Sequence, residues 1–491
     1  MSSSTVGPAF LGIDLGTSQL KALLTSPGAP GARGTPGGHV LGRGRAQYPV
    51  TVPAAGQAET GPADWWRAAA GAVREALAAA AAGGARAEVA GIAVAGQMHG
   101  VVLTDRAGVP LRPAILWLDR RAAAEAAAYR ELPARLTRPL GNQPSPGMAG
   151  PILRWLTRHE PATVRDARWA LQPKDWLRLR LTGAAATDPT DASGTLLFDL
   201  TRGGWATEVI AALSLPGEKL PDIREPTQLA GRLLPAAAAH LGLTPGIPVA
   251  TGAADTAAAL LAANPPADAA LLTLGTGGQW AVPAAAFHPA PNTNVFRAVG
   301  GGLYQLAPAQ NVGVTLDWVR ALLDVSWQDL YDTAARPWRA DTPLFLPYLT
   351  QERWDAPASG AWAGLTLAHR KDDLLRGALE GVAFLLRARL ADLRAAGHEP
   401  RSVVIGGGGA RHPAWRQLLA DVLGLPLRPA STTWLSATGA AQVAAAAAGA
   451  LLEGAAWDRS GEEPDVITPA APDAASAGYG RFLNRIFVAA N

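Results

Sequence analysis

The sequence predicts an α/β protein built as two large halves, and three observations carry that prediction. Apolar strands alternate with helical segments along the whole chain, which implies sheets covered by helices. A short pattern occurs twice, at Phe10–Ser26 and at Ala270–Ala285: an apolar strand, a Leu-Gly-Thr turn, then a second strand. Each copy is a β-hairpin signature with glycine at the turn. Finally, 491 residues of which 48% are apolar hold enough material for more than one large core. A hairpin opening each half points to a duplicated domain.

The elements follow in order. After the first hairpin, Pro62–Ala82 has the apolar spacing of an amphipathic helix. Val89–Val94 reads as a buried strand, and Gly100–Leu103 as its natural partner. Ala122–Arg130, Pro151–Thr157 and Asp175–Leu181 read as helical, Pro144–Gly150 as a loop, and Pro221–Leu234 as loop-rich. Gly246 precedes a new strand at Pro248–Thr251, and the division is placed there, giving domains 1–245 and 246–491. In the second half, Lys371–Ala396 is a long helix, Ser402–Ile405 a buried strand, and Trp415–Leu423 a helix. Gly454–Ala477 reads as a surface loop and Tyr479–Ala490 as a closing helix.

Composition removes several classes of chemistry. The chain has no cysteine, so disulfides, thiolate metal sites, iron–sulfur clusters and cysteine nucleophiles are excluded. Net charge is only +3, and the basic residues are scattered, so the footprint of a nucleic-acid binder is missing. The most apolar window, Ala437–Leu452, is mostly alanine and shorter than the ~20 residues of a membrane span. The start, MSSSTVGPAF, lacks the order of a signal peptide. The expectation is a soluble cytoplasmic protein with no nucleic-acid or membrane partner; a homodimer is compatible with it.

The first hairpin carries Asp14 at a strand end, then Gly16-Thr17-Ser18. An acid there can hold a Mg2+ ion, and the N–H groups of such a turn can face phosphate oxygens; a plain structural turn is the alternative. Gly275-Thr276-Gly277 in the second hairpin offers the same geometry. In Thr251-Gly-Ala-Ala-Asp255-Thr256 a strand gives way to a helix. Asp255 there serves either as an N-cap or as a base that takes a proton from a hydroxyl, and spacing alone favours the cap. Gln97 and His99 share one side of an extended segment flanked by glycines, where both could bond sugar hydroxyls. Trp117, Asp119 and Arg121 follow a strand; they form either a local ion pair of little worth or a wall for a sugar. Gly406-Gly407-Gly408-Gly409 sits between a strand and a helix, where backbone can approach phosphate or adenine. Neither a G-x-G-x-x-G nor a P-loop motif is present at these places.

Taken together and in this order, the elements resemble the FGGY family of carbohydrate kinases, from Gly12 to about Ala446. The fragments AGQMHG (Ala95–Gly100), PAILWLDRRA (Pro113–Ala122), LQPKDWLRLRLTG (Leu171–Gly183), TDASGTLLFDL (Thr190–Leu200) and FLPYLTQER (Phe345–Arg353) are most similar to its xylulose-phosphorylating members. Glycerol-phosphorylating members carry an NQRET-like segment where this chain reads GQMHG. The resemblance implies two ribonuclease-H-like, actin-type domains with an interdomain active-site cleft for sugar and nucleotide. It implies ATP and Mg2+ as cofactors and a small sugar as substrate, with D-xylulose converted to D-xylulose 5-phosphate. Asp255 would be the catalytic base, with Asp14 and Asp255 on the metal side. Met98, His99, Gln97, Trp117 and Thr256 would meet the sugar. Gly16, Thr17, Ser18, Gly275, Thr276, Gly313, Gly407 and Gly408 would line the nucleotide. Thr256 and Leu118 stand where the family often has Asn, and TQER at Thr350–Arg353 stands for the usual SGER. Other readings are a kinase for ribulose, fructose or an alditol, and an actin-fold ATPase without a catalytic role.

Overall fold

Strand β1 (Pro8–Leu15) organises the first half. Its last seven residues are all buried, the pattern of a strand covered on both faces. In the computed structural model, which describes residues 7–27, 39–85, 88–350, 352, 359–450 and 465–489, β1 pairs antiparallel with β2 (Gln19–Ser26). Beyond β2 lies β3 (His39–Gln47), and on the other side of β1 lies the parallel strand β4 (Glu88–Gly96). With β5 (Leu229–Arg232) and β6 (Pro248–Ala250) the sheet runs β5-β6-β4-β1-β2-β3, and Ala253–Ala254 also pairs with β4. The helix Pro62–Ala82 has proline at its first position and buries Trp65, Ala69, Ala72, Val73, Ala76 and Ala80. That proline presets the first turn, and the spacing makes one apolar stripe. The alanine-rich helix Leu435–Ala447 packs on β1 and β4; its small side chains permit close approach.

The second half repeats the plan. Strand β7 (Ala269–Leu274) pairs antiparallel with β8 (Gly278–Ala284). With β9 (Leu303–Ala309), β10 (Ser402–Gly406) and β11 (Leu427–Pro429), the order is β9-β8-β7-β10-β11, and β10 is parallel to β7. The helix Lys371–Ala395 runs through this core and buries Leu375, Leu379, Val382, Leu386 and Leu390, packed in one cluster with Trp280 and Trp415.

Packing divides the described residues into two units. One takes those within 1–262, 295–303 and 434–462; the other takes 263–294, 304–433 and 463–491. The sequence division at Gly246 therefore precedes several elements that pack with the first unit, among them β6 and Ala253–Ala254. Val249 and Ala250 are fully buried, and β6 finds its partners in β4 and β5.

Two expectations are corrected. Val102–Thr104 pairs with Trp169–Leu171, not with β4, because both edges of β4 are already taken by β1 and by the strands after Pro248. The last helix starts at Pro472, ahead of Tyr479, with proline again at the start. The part of the expected surface loop at 454–464 lies outside the described residues.

Candidate active site

In the first unit the loop after β1 collects the chemistry. Asp14 sits opposite Lys21 in the β1–β2 register, and their side chains meet at 3.6 Å. Burial raises the Asp14 carboxyl above its ordinary value, and Lys21 pulls it back. The turn Gly16-Thr17-Ser18 is held by three side chains. Gln97 Nε2 donates to the Gly16 carbonyl at 3.1 Å, the Tyr48 hydroxyl donates to the same oxygen, and Trp117 Nε1 donates to Thr17 Oγ1 at 3.0 Å. Gln97 thus spends its NH₂ group on the turn, while its Oε1 is buried without a hydrogen-bond partner among the described residues.

Asp255 is the first residue of the helix Asp255–Ala263. It is partly buried. Its carboxyl is pushed up to about 6, first by burial and then by the negative charge of Asp14. The Thr256 N–H donates to Asp255 Oδ1 at 2.6 Å, and the Thr256 hydroxyl does so at 3.1 Å. The chain reaches Asp255 through Gly252, whose φ is +91°. A Cβ there would stand 2.2 Å from the Val94 carbonyl, so the approach to Asp255 requires glycine.

His99 and Met98 follow β4 and are buried. His99 takes a left-handed φ of 77°, rare for a residue with a Cβ. Its Nδ1 lies 2.6 Å from the Gly194 carbonyl; a carbonyl only accepts, so Nδ1 carries the proton. The Gln172 side chain accepts from the His99 N–H at 3.0 Å. Asp119 and Arg121 form a buried pair at 2.8 Å, and Arg121 reaches Glu59 at 2.7 Å. Asp119 Oδ2 also accepts from the Ala58 N–H. Both carboxylate oxygens are occupied, so this pair is no weak surface contact and braces the Trp117 segment.

In the second unit the glycines expected at the nucleotide come together. The Val314 N–H donates to the Thr276 carbonyl at 2.8 Å, which seats the helix Gly313–Leu322 on the Gly275-Thr276 turn. Gly407 has φ +90°, and a Cβ on it would stand 2.3 Å from the Leu274 carbonyl. Gly408, beside it, is exposed, with open space where a Cβ would be.

Three features escaped the sequence reading. The helix Pro173–Thr182 buries Lys174, Asp175 and Arg178 completely. Asp175, Asp188 and Asp191 bring carboxylate oxygens together as a metal site would. Lys174 Nζ already stands 2.5, 2.7 and 3.5 Å from them, so the cation of this cluster is the lysine. Glu352, also buried, accepts from the Asn311 N–H at 2.9 Å and from Asn311 Nδ2 at 2.7 Å; it fixes the loop leading into Gly313. The signal was present in charged residues inside otherwise apolar stretches, PKDWLRLRLTG and FLPYLTQER.

Family models for the N-terminal and C-terminal domains of the FGGY carbohydrate kinases match residues 9–262 and 270–448. The chain belongs to the FGGY family of carbohydrate kinases. It is 34% identical over 427 residues to a xylulose kinase of Escherichia coli, covering 85% of each chain. It is 32% identical to a xylulose kinase of Streptomyces coelicolor, covering 90% of this chain and 89% of that one. The crystal structure of a xylulose kinase from Rhodospirillum rubrum matches with a TM-score of 0.81 at 30% identity, over 98% of both chains. The two-domain sugar-kinase architecture expected from the sequence is therefore that of this FGGY chain, and a non-catalytic actin-fold ATPase is not favoured. As an FGGY kinase it uses ATP and a small sugar. Among the described residues, no helix is long and apolar enough to cross a membrane.

Proposed function

We propose that this FGGY kinase transfers the γ-phosphoryl group of ATP to the terminal hydroxyl of D-xylulose, giving D-xylulose 5-phosphate and ADP. The observation that carries the chemistry is Asp255, a carboxyl raised to about 6 at the start of a helix and influenced by Asp14. A value just below neutral leaves the group ionised at pH 7 yet willing to take a proton. The similarity to xylulose kinases over 85% of both chains supports the choice of sugar.

In this reading His99 and Met98 meet the sugar on the first unit, with Trp117 and Thr256 nearby. The Gly16-Thr17-Ser18 turn, the Gly275-Thr276 turn, Gly313 and the Gly407-Gly408 loop hold the nucleotide. Asp255 accepts the hydroxyl proton as the new O–P bond forms and the bond to the β-phosphate breaks. Phosphoryl transfer asks mainly for alignment and charge neutralisation, which fixed turns supply. Mg2+ favours oxygen ligands and binds through one or two carboxylates plus phosphates. Asp14 and Asp255, with Lys21 beside Asp14, fit that donor set. The ion would offset phosphate charge.

A substrate panel tests the sugar. ADP release is measured with D-xylulose, ribulose, fructose, glycerol and several alditols. D-xylulose is expected to give the highest kcat/KM; a higher value for another sugar would reassign the substrate. Thr256→Asn is expected to change the order of preference with little effect on the KM for ATP, and an unchanged order would remove Thr256 from the sugar site.

A further inference from the structure

We propose that Thr190 is a positioning residue for Asp255, held in its role by the buried Lys174–Asp188 pair. The proposal rests on Asp255 being the base of the kinase reaction proposed above. Asp188 caps the short helix Pro189–Ala192. Its Oδ1 accepts from the Thr190 N–H at 2.9 Å and also from the Thr190 hydroxyl. Its Oδ2 lies 2.7 Å from Lys174 Nζ, so the carboxylate is pinned from both ends. A hydroxyl has one proton. With that proton directed at Asp188, Thr190 Oγ1 is left as an acceptor, and it takes the Ala254 N–H at 2.8 Å. Ala254 immediately precedes Asp255.

The other end of the same turn is held by the same cluster. Arg178 Nη1 donates to the Thr251 carbonyl at 2.8 Å and to Asp175 Oδ1 at 3.1 Å, and Asp175 shares Lys174 with Asp188. The backbone from Thr251 to Ala254 is thus suspended between two arms of one buried ionic network. Thr190, Lys174, Asp175, Arg178 and Asp188 are all fully buried, so water does not compete for these bonds. The chain leaving the Thr190 turn ends at Gly194, whose carbonyl orients the His99 ring. One turn therefore fixes the backbone of the proposed base and the ring of a proposed sugar contact.

Thr190→Val keeps shape and removes both hydroxyl bonds; Thr190→Ser restores the hydroxyl. A misplacement of about 1 Å at a reacting group can cost ~10²-fold in rate. We expect Thr190→Val to lower kcat by about ten- to a hundredfold, with KM for sugar and for ATP within about threefold, and Thr190→Ser to recover most of kcat. A purely structural role would lower the yield of active enzyme without this split, so kcat is referred to sites titrated by ATP binding. Thr190→Ala, which adds no apolar bulk, replaces Thr190→Val if the latter does not fold. Near-normal kcat in the folded hydroxyl-free variant, or no recovery in Thr190→Ser, would overturn the proposal. If the parent protein phosphorylates none of the sugars in the panel, the reading of the site fails and not the role of Thr190 alone.

Discussion

The two hairpins share a fold and differ in what they present. In each unit a central strand has an antiparallel partner on one side and a parallel strand on the other. In the first unit the strand end carries the Asp14–Lys21 pair, and the parallel strand runs into Gln97-Met98-His99. In the second unit the corresponding pair is Thr273 opposite Gln279, and the parallel strand runs into Gly407-Gly408-Gly409. One copy offers charged and directional side chains; the other offers bare backbone. Side chains suit the selection of sugar hydroxyls, and main-chain N–H groups suit phosphate, which needs close approach more than selectivity. The two hairpins follow one strand plan and differ in a handful of residues at strand ends.

The largest effect that would break this contrast belongs to the proposed base, Asp255. Asp255→Asn should lower kcat by ~10²–10⁴-fold with ATP affinity within about threefold, by steady-state kinetics and nucleotide titration. In the parent, kcat/KM for the sugar should fall about tenfold per pH unit below about 6, because the raised carboxyl then holds a proton. Next comes the side-chain copy. His99→Ala should raise the KM for sugar by about tenfold or more and leave the KM for ATP unchanged. The backbone copy should give the converse. Gly408→Ala places a methyl in open space, so the fold should keep its Tm. The KM for ATP should rise severalfold, with the KM for sugar unmoved. A rise in sugar KM from Gly408→Ala, or in ATP KM from His99→Ala, would dissolve the division of labour.

The smallest effect is on stability. Asp255 holds its proton more tightly in the folded chain, at about 6 against an ordinary 3.8. Its contribution is therefore present below about pH 4 and is lost as pH rises through about 6. At pH 7 the buried charge is a cost that Asn does not carry. Asp255→Asn should raise Tm at pH 7 by roughly 1–3 °C, an advantage that disappears near pH 4, by thermal denaturation at both pH values.

Much of this was legible in the residues alone. Periodicity located the helices at Pro62–Ala82 and Lys371–Ala395 and both hairpins, because apolar spacing is a local property. Of the glycines expected at the nucleotide, Gly275, Gly313 and Gly407 come together within the second unit, and Gly407 has a positive φ and almost no room beside it, needs that only glycine meets. Other features depended on residues distant in sequence. Nothing near Asp119 announced that its Oδ2 would also accept from the distant Ala58 N–H, or that Val102–Thr104 would pair with Trp169–Leu171. Nor did Lys174 announce that it would meet Asp188 and Asp191 in the interior. The sequence by itself determined the strand ends, the turns and the identity of the chemical groups, since these follow from each residue's own shape and polarity. Only the tertiary structure decided which groups are spent on holding the site and which remain for a substrate, because a hydrogen bond or a shifted carboxyl depends on neighbours that folding alone brings into place.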